Sequence, residues 1–249
     1  MAGQMFFPGE NLVTYFGRIA LTALGTIILA VGSQRLIPSE GGKPVGLGLG
    51  CTIKSIGCFS LGIVGGILVV AALGAALWVF VPFHFERGPL EAGQLLPRAV
   101  QFFWSNLGEE LVFRGFLLVV LSRLWGLRLA MLAIAILFGL FHLPGLSGIQ
   151  ALKMICTTAA CSYLFCSAFI ITGTLWTAIA LHVAMNVSLH TISGLDGGIA
   201  ILQPVFRIPY PQHYDPGFWA FIVMPLFISR LLFQIFPKKD MATKQTSGS

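Results

Sequence analysis

Apolar residues run in long blocks along this chain, separated by short polar breaks. Seven blocks read as membrane-crossing helices, at about 12–32, 56–82, 108–122, 128–143, 151–171, 175–193 and 217–236. About 20 apolar residues are needed to cross a bilayer as a helix. The third and fourth blocks are shorter, so they either extend into neighbouring residues or thin the membrane locally. Residues 95–107, LLPRAVQFFWSNL, read as an interfacial helix leading into the third block, and the count becomes eight if they cross. Barrel strands would alternate over about ten residues, a pattern these blocks do not show. The predicted fold is therefore all-α, a polytopic transmembrane helical bundle of about seven spans.

The pattern divides the chain into four parts. Residues 1–104 hold the N-terminal spans and the interfacial segment, and 105–193 form a core rich in misplaced polar groups. Residues 194–237 are a loop and the last span, and 238–249, KKDMATKQTSGS, form a tail expected to be disordered. The first block reads as a span rather than a cleaved signal, because the segment before it is long and contains Glu10.

Composition agrees with a membrane protein. Charged residues make up 10% of the chain, against about 25% in soluble domains. The net charge of +6 does not point to nucleic acid, because the basic residues form no contiguous patch. They read as topology signals. Arg35, Lys43, Lys54, Arg123, Arg128, Lys238, Lys239 and Lys244 fall on one side of a seven-span arrangement, and Arg87, Arg98 and Arg207 on the other. The richer side is expected to be cytoplasmic, with the C-terminus, in a plasma or inner membrane. Cys51, Cys58, Cys156, Cys161 and Cys166 form no C-x-x-C pair and are given no redox or metal role.

The charged residues inside apolar blocks carry the chemistry, since ionisable groups in a bilayer usually face a cavity or one another. NLGEELVFRGFLL, residues 106–118, holds Glu109, Glu110 and Arg114. Glu110 and Arg114, at i and i+4, share a helix face and can pair. Glu109 is turned about 100° away. Phe138 and His142 repeat the spacing, as do His182 and Asn186, and Pro144 and Gly145 stop the helix just after His142. Three helices thus point a carboxylate, two imidazoles and an amide toward one pocket.

That set is suited to hydrolysis. A carboxylate near apolar walls can take a proton from water, and a histidine can orient that water or protonate a leaving amine. A second histidine with an amide can donate hydrogen bonds to an oxyanion. Glu109, His142 and His182 would also serve as zinc ligands, although no H-E-x-x-H run is present. His190 reads as a packed residue, and His84 and His213 as loop residues without a role.

EELVFRG, FGLFH and HVAMN resemble, in order and interval, the E-E-x-x-x-R, F-x-x-x-H and H-x-x-x-N motifs of the CPBP family (CAAX proteases and bacteriocin-processing enzymes). That family includes the Ras-converting CAAX prenyl endopeptidases. The resemblance covers about residues 105–193 and implies an intramembrane endopeptidase acting on a protein or peptide. It implies that Glu109 activates water with His142 as partner, and that His182 and Asn186 stabilise the oxyanion. Glu110 and Arg114 would accompany them structurally, with Phe138 in support. The family has been assigned both metal-dependent and metal-free mechanisms, so divalent zinc stays open as a cofactor. Non-proteolytic members act as scaffolds or regulators of partner membrane proteins, which is the competing reading. A proton-coupled transporter would also bury Glu and His, but the chain shows no internal repeat.

Overall fold

The computed structural model describes residues 24–25, 47–207 and 215–236. The span read at 12–32 and the tail at 238–249 lie outside the described residues, apart from Leu24 and Gly25. Four described helices are long and apolar enough to cross a membrane: Ile53–Phe80, Gly148–Thr172, Leu175–Ser193 and Pro216–Ile235. They fall within a few residues of the second, fifth, sixth and seventh blocks.

Local chemistry sets their ends. Helix α1 (Ile53–Phe80) is capped by Thr52, whose side chain accepts from the Ser55 backbone N–H. Helix α5 (Gly148–Thr172) stops at Gly173, whose φ of 70° suits a residue without a Cβ. Helix α6 (Leu175–Asn186) starts at the Thr174 cap and continues as a π-helical stretch, Val187–Ser193. Helix α7 (Pro216–Ile235) is capped by Asp215 and has Pro216 in its first turn.

The third block is different. Residues 95–125 form one continuous rod: α2 (Leu95–Glu110), a π-helical stretch (Leu111–Leu117) and α3 (Leu118–Trp125). The interfacial segment and the short third block are thus a single helix about 46 Å long. Gly126, at φ 78°, reverses the chain into α4 (Leu127–Phe141). The second arm of this hairpin is about half as long as the first, 15 residues against 31. The fourth block is short because α4 stops at the midpoint of the 95–125 rod, where the site lies.

Packing follows the rules of a lipid solvent, where apolar side chains gain little by leaving the bilayer and close backbone approach matters more. Gly62 and Gly66 of α1 lie against α6. A Cβ at Gly62 would meet the Thr177 carbonyl at 2.5 Å, and one at Gly66 the Ala184 Cβ at 2.6 Å. Gly139 lets α4 press on α5 in the same way, at 2.7 Å from the Ile155 carbonyl. Helix α5 contacts α4, α6 and α7.

The all-α expectation needs one correction. Phe83–Arg87 (β1) and Leu202–Phe206 (β2) pair antiparallel, with Phe83 opposite Phe206 and Arg87 opposite Leu202. The ribbon joins two segments that read as irregular loops. Backbone bonds from Gly88 to Ile201 and from Leu90 to Ala200 continue the contact. Arg98 Nη1 also donates to the Ile199 carbonyl at 3.4 Å.

Candidate active site

Glu109 and Glu110 end the α-helical part of the rod, and a π-helical stretch begins with the next residue. A second π-helical stretch begins just after Asn186. Such bulges are rare and concentrate at functional sites. Both follow directly on motif residues.

Glu110 and Arg114 are both fully buried and pair at 3.1 Å, as their spacing predicts. Arg114 Nη2 also donates to Ser162 Oγ at 2.7 Å and to the Ser162 carbonyl at 3.2 Å. Its guanidinium lies 4.5 Å from the Phe138 ring centroid and 5.3 Å from that of Phe165. Phe138 therefore provides an aromatic face for the cation as well as a wall of the core. The pair is more than a private staple: Glu110 Oε1 also accepts from His182 Nδ1 at 2.9 Å. His182 stacks on Phe165 at 4.4 Å and meets Phe138 edge-on at 5.9 Å. The imidazole is held on one edge by a carboxylate and on its face by a ring.

Glu109 turns away from this cluster, as a helical step of 100° requires. Its Oε2 lies 3.9 Å from His142 Nε2, and the two side chains retain 16% and 28% exposure. Ser105 Oγ donates to Glu109 Oε1 at 3.3 Å. His142 Nδ1 lies 2.8 Å from the Phe138 carbonyl, a distance at which Nδ1–H donates. In the neutral imidazole this leaves the Nε2 lone pair facing Glu109. At 3.9 Å the two groups do not bond directly, and a bridging water fits that spacing.

Asn186, one turn beyond His182, donates from Nδ2 to Asn106 Oδ1 at 3.2 Å. Asn106 is 1% exposed. Beyond Asn186, His190 Nδ1 meets Asp196 Oδ2 at 2.7 Å and its ring stacks on Phe102. Burial opposes ionisation of Asp196, but the His190 bond and charge and the backbone N–H groups outweigh it, holding the carboxyl below its usual value. His190 is therefore packed, as expected, but packed as an ion-pairing group.

Six buried side-chain atoms among the described residues have no hydrogen-bond partner within the protein. Four of them, Asn106 Nδ2, Glu109 Oε2, Glu110 Oε2 and Arg114 Nε, fall in residues 106–114. Unsatisfied buried polar atoms are scarce in folded chains and call for an explanation where they occur. Their concentration on this one stretch is the electrostatic signature of the site.

The predicted zinc set does not assemble. Among the described residues, no three His, Cys, Asp or Glu side chains form a group able to hold a metal ion. Glu109 faces His142, whereas His182 is bonded to Glu110, so the two histidines serve different carboxylates. The residues present do not fit a bound zinc ion.

Ser105, Asn106, Ser162 and Phe165 also belong to the site and were not among the residues predicted from sequence. Small polar and aromatic residues in apolar blocks are common, so only contact with the motif residues distinguishes them.

Residues 91–188 match the family model of type II CAAX prenyl endopeptidases, Rce1-like. The matched region contains all three motifs. No curated protein and no solved structure matches the chain.

Proposed function

We propose that this Rce1-like integral membrane protein is an intramembrane endopeptidase that hydrolyses a peptide bond of a membrane-associated or exported protein. The observation that carries the reading is the Glu109–His142 pair, partly exposed and 3.9 Å apart, with Glu109 near the midpoint of the 95–125 rod. Water between them gives its proton to Glu109 as its oxygen attacks the scissile carbonyl. His142, oriented by the Phe138 carbonyl, aligns that water. His182 and Asn186 donate to the oxyanion that forms, and the proton on Glu109 passes to the leaving amine. Glu110 holds His182, and Arg114 balances the charge of Glu110. This mechanism needs no metal.

The full chain in this reading has seven spans, with the stretch at 12–32 as the first. The loop at 123–128 and the C-terminal tail are cytoplasmic, by their Lys and Arg content. His142 lies at the opposite end of α4 from that loop, so the site opens toward the extracytoplasmic side and favours exported or surface substrates. The test compares membrane proteomes of cells carrying wild type or Glu109→Gln. A protein that loses processing in the variant supports the reading. Identical proteomes, with both proteins inserted at equal level, overturn it in favour of a non-proteolytic membrane regulator.

A further inference from the structure

We propose that Asn106 is a positioning residue of this site, one that orients the Asn186 amide; the inference rests on the hydrolytic reading above. Asn106 lies outside the three motifs. It is only 1% exposed, at a position where leucine would fill the space without a polar group. Its Oδ1 accepts from Asn186, yet its own Nδ2 has no partner within the protein. An unsatisfied buried donor costs roughly 1–3 kcal/mol. A residue kept only for stability would not leave its amide half-bonded.

The geometry supplies the reason. Asn106 and Glu110 are one turn apart on α2, and His182 and Asn186 are one turn apart on α6. The two helices therefore meet in two rungs: Glu110 to His182 at 2.9 Å and Asn106 to Asn186 at 3.2 Å. Each rung fixes one of the two oxyanion donors. Glu110 holds the His182 ring by one edge, and Asn106 takes one of the two Asn186 N–H groups, which sets the amide plane and leaves the other N–H to donate. The base itself, Glu109, lies between Asn106 and Glu110 in sequence. A single helix thus registers the base against both donors. Positioning of this kind matters because donors must meet the oxyanion at hydrogen-bond distance without reorganising.

The experiment uses the full-length protein in detergent and a fluorescence-quenched peptide spanning the cleavage site that the Glu109→Gln proteome comparison identifies. Wild type, Glu109→Gln, Asn106→Leu, Asn186→Ala and the Asn106→Leu/Asn186→Ala double variant are compared for kcat, KM and thermal midpoint. Asn106→Leu is expected to lower kcat about tenfold or more, as loss of an oriented oxyanion donor does, with KM little changed. Its melting temperature should change little, because removal of an unsatisfied amide offsets the loss of the Asn186 hydrogen bond. The double variant should be no slower than Asn186→Ala alone, because the two residues act as a unit. If Asn106→Leu does not fold, Asn106→Ala carries the same test. Unchanged kcat, or losses that multiply in the double variant, overturns the inference while leaving the hydrolytic reading intact. Cleavage by wild type that is no faster than by Glu109→Gln overturns both.

Discussion

Replacing Arg114 by alanine should be among the most damaging changes available in this protein. Arg114 is fully buried and makes three bonds, to Glu110 at 3.1 Å, to the Ser162 carbonyl at 3.2 Å and to Ser162 Oγ at 2.7 Å. Its removal leaves Glu110 with no exposure and with His182 as its remaining bonded partner. Removing one member of a buried ion pair typically costs about 3–5 kcal/mol, most of it from the charge left behind. The lost contact with Phe138 overlaps with that figure rather than adding to it. At about 2–4 °C per kcal/mol for a chain of this size, the midpoint should fall by roughly 6–20 °C. The charge-removing double change, Glu110→Gln with Arg114→Ala, should recover part of the loss, with a coupling of about 0.5–3 kcal/mol. Thermal unfolding of the four purified proteins in one detergent, followed by tryptophan fluorescence, measures both quantities. If Arg114→Ala lies within about 1 kcal/mol of wild type, or the double change equals the sum of the singles, the pair is not the electrostatic anchor argued here.

Other perturbations test other parts of the structure. Glu109→Gln should lower hydrolysis about 10²–10⁴-fold with little change in melting temperature, because it removes proton acceptance and almost no volume; activity and melting assays on one sample check both. Gly66→Val should destabilise α1 against α6 by at least the roughly 1–3 kcal/mol of ordinary overpacking, whereas Gly65→Ala, whose Cβ would meet Leu181 only at 3.4 Å, should be near neutral; melting temperature separates them. Asp196 is held below its usual value, so its share of stability is full above the unfolded carboxyl value and is lost as pH falls through the lower folded one. Asp196→Asn should accordingly flatten the acid limb of the stability profile. Single cysteines at Ser122 and Ser147 in a cysteine-free background should label from outside intact cells at 147 and not at 122; the reverse would place the site on the cytoplasmic face.

The hydrophobic pattern alone located the helices that are apolar along their whole length. For those at 53–80, 148–172, 175–193 and 216–235, residence in lipid requires every backbone group to be satisfied within the segment. Spacing also found the Glu110–Arg114 pair, because i and i+4 neighbours meet on any regular helix. What sequence could not supply was how the segments meet. The rod at 95–125 read as two pieces, since Arg98, Glu109, Glu110 and Arg114 interrupt its apolar run. The burial of Glu110 and Arg114 against α5 and α6 is a tertiary fact. The β-ribbon went unread because its strands are far apart in the chain and short. Most of all, pattern placed two histidines near one carboxylate, and packing divided them: His142 to Glu109, His182 to Glu110. Adjacent glutamates differ by 100° around a helix, so which neighbour each one meets is set by the helices on either side, and no linear spacing encodes that choice.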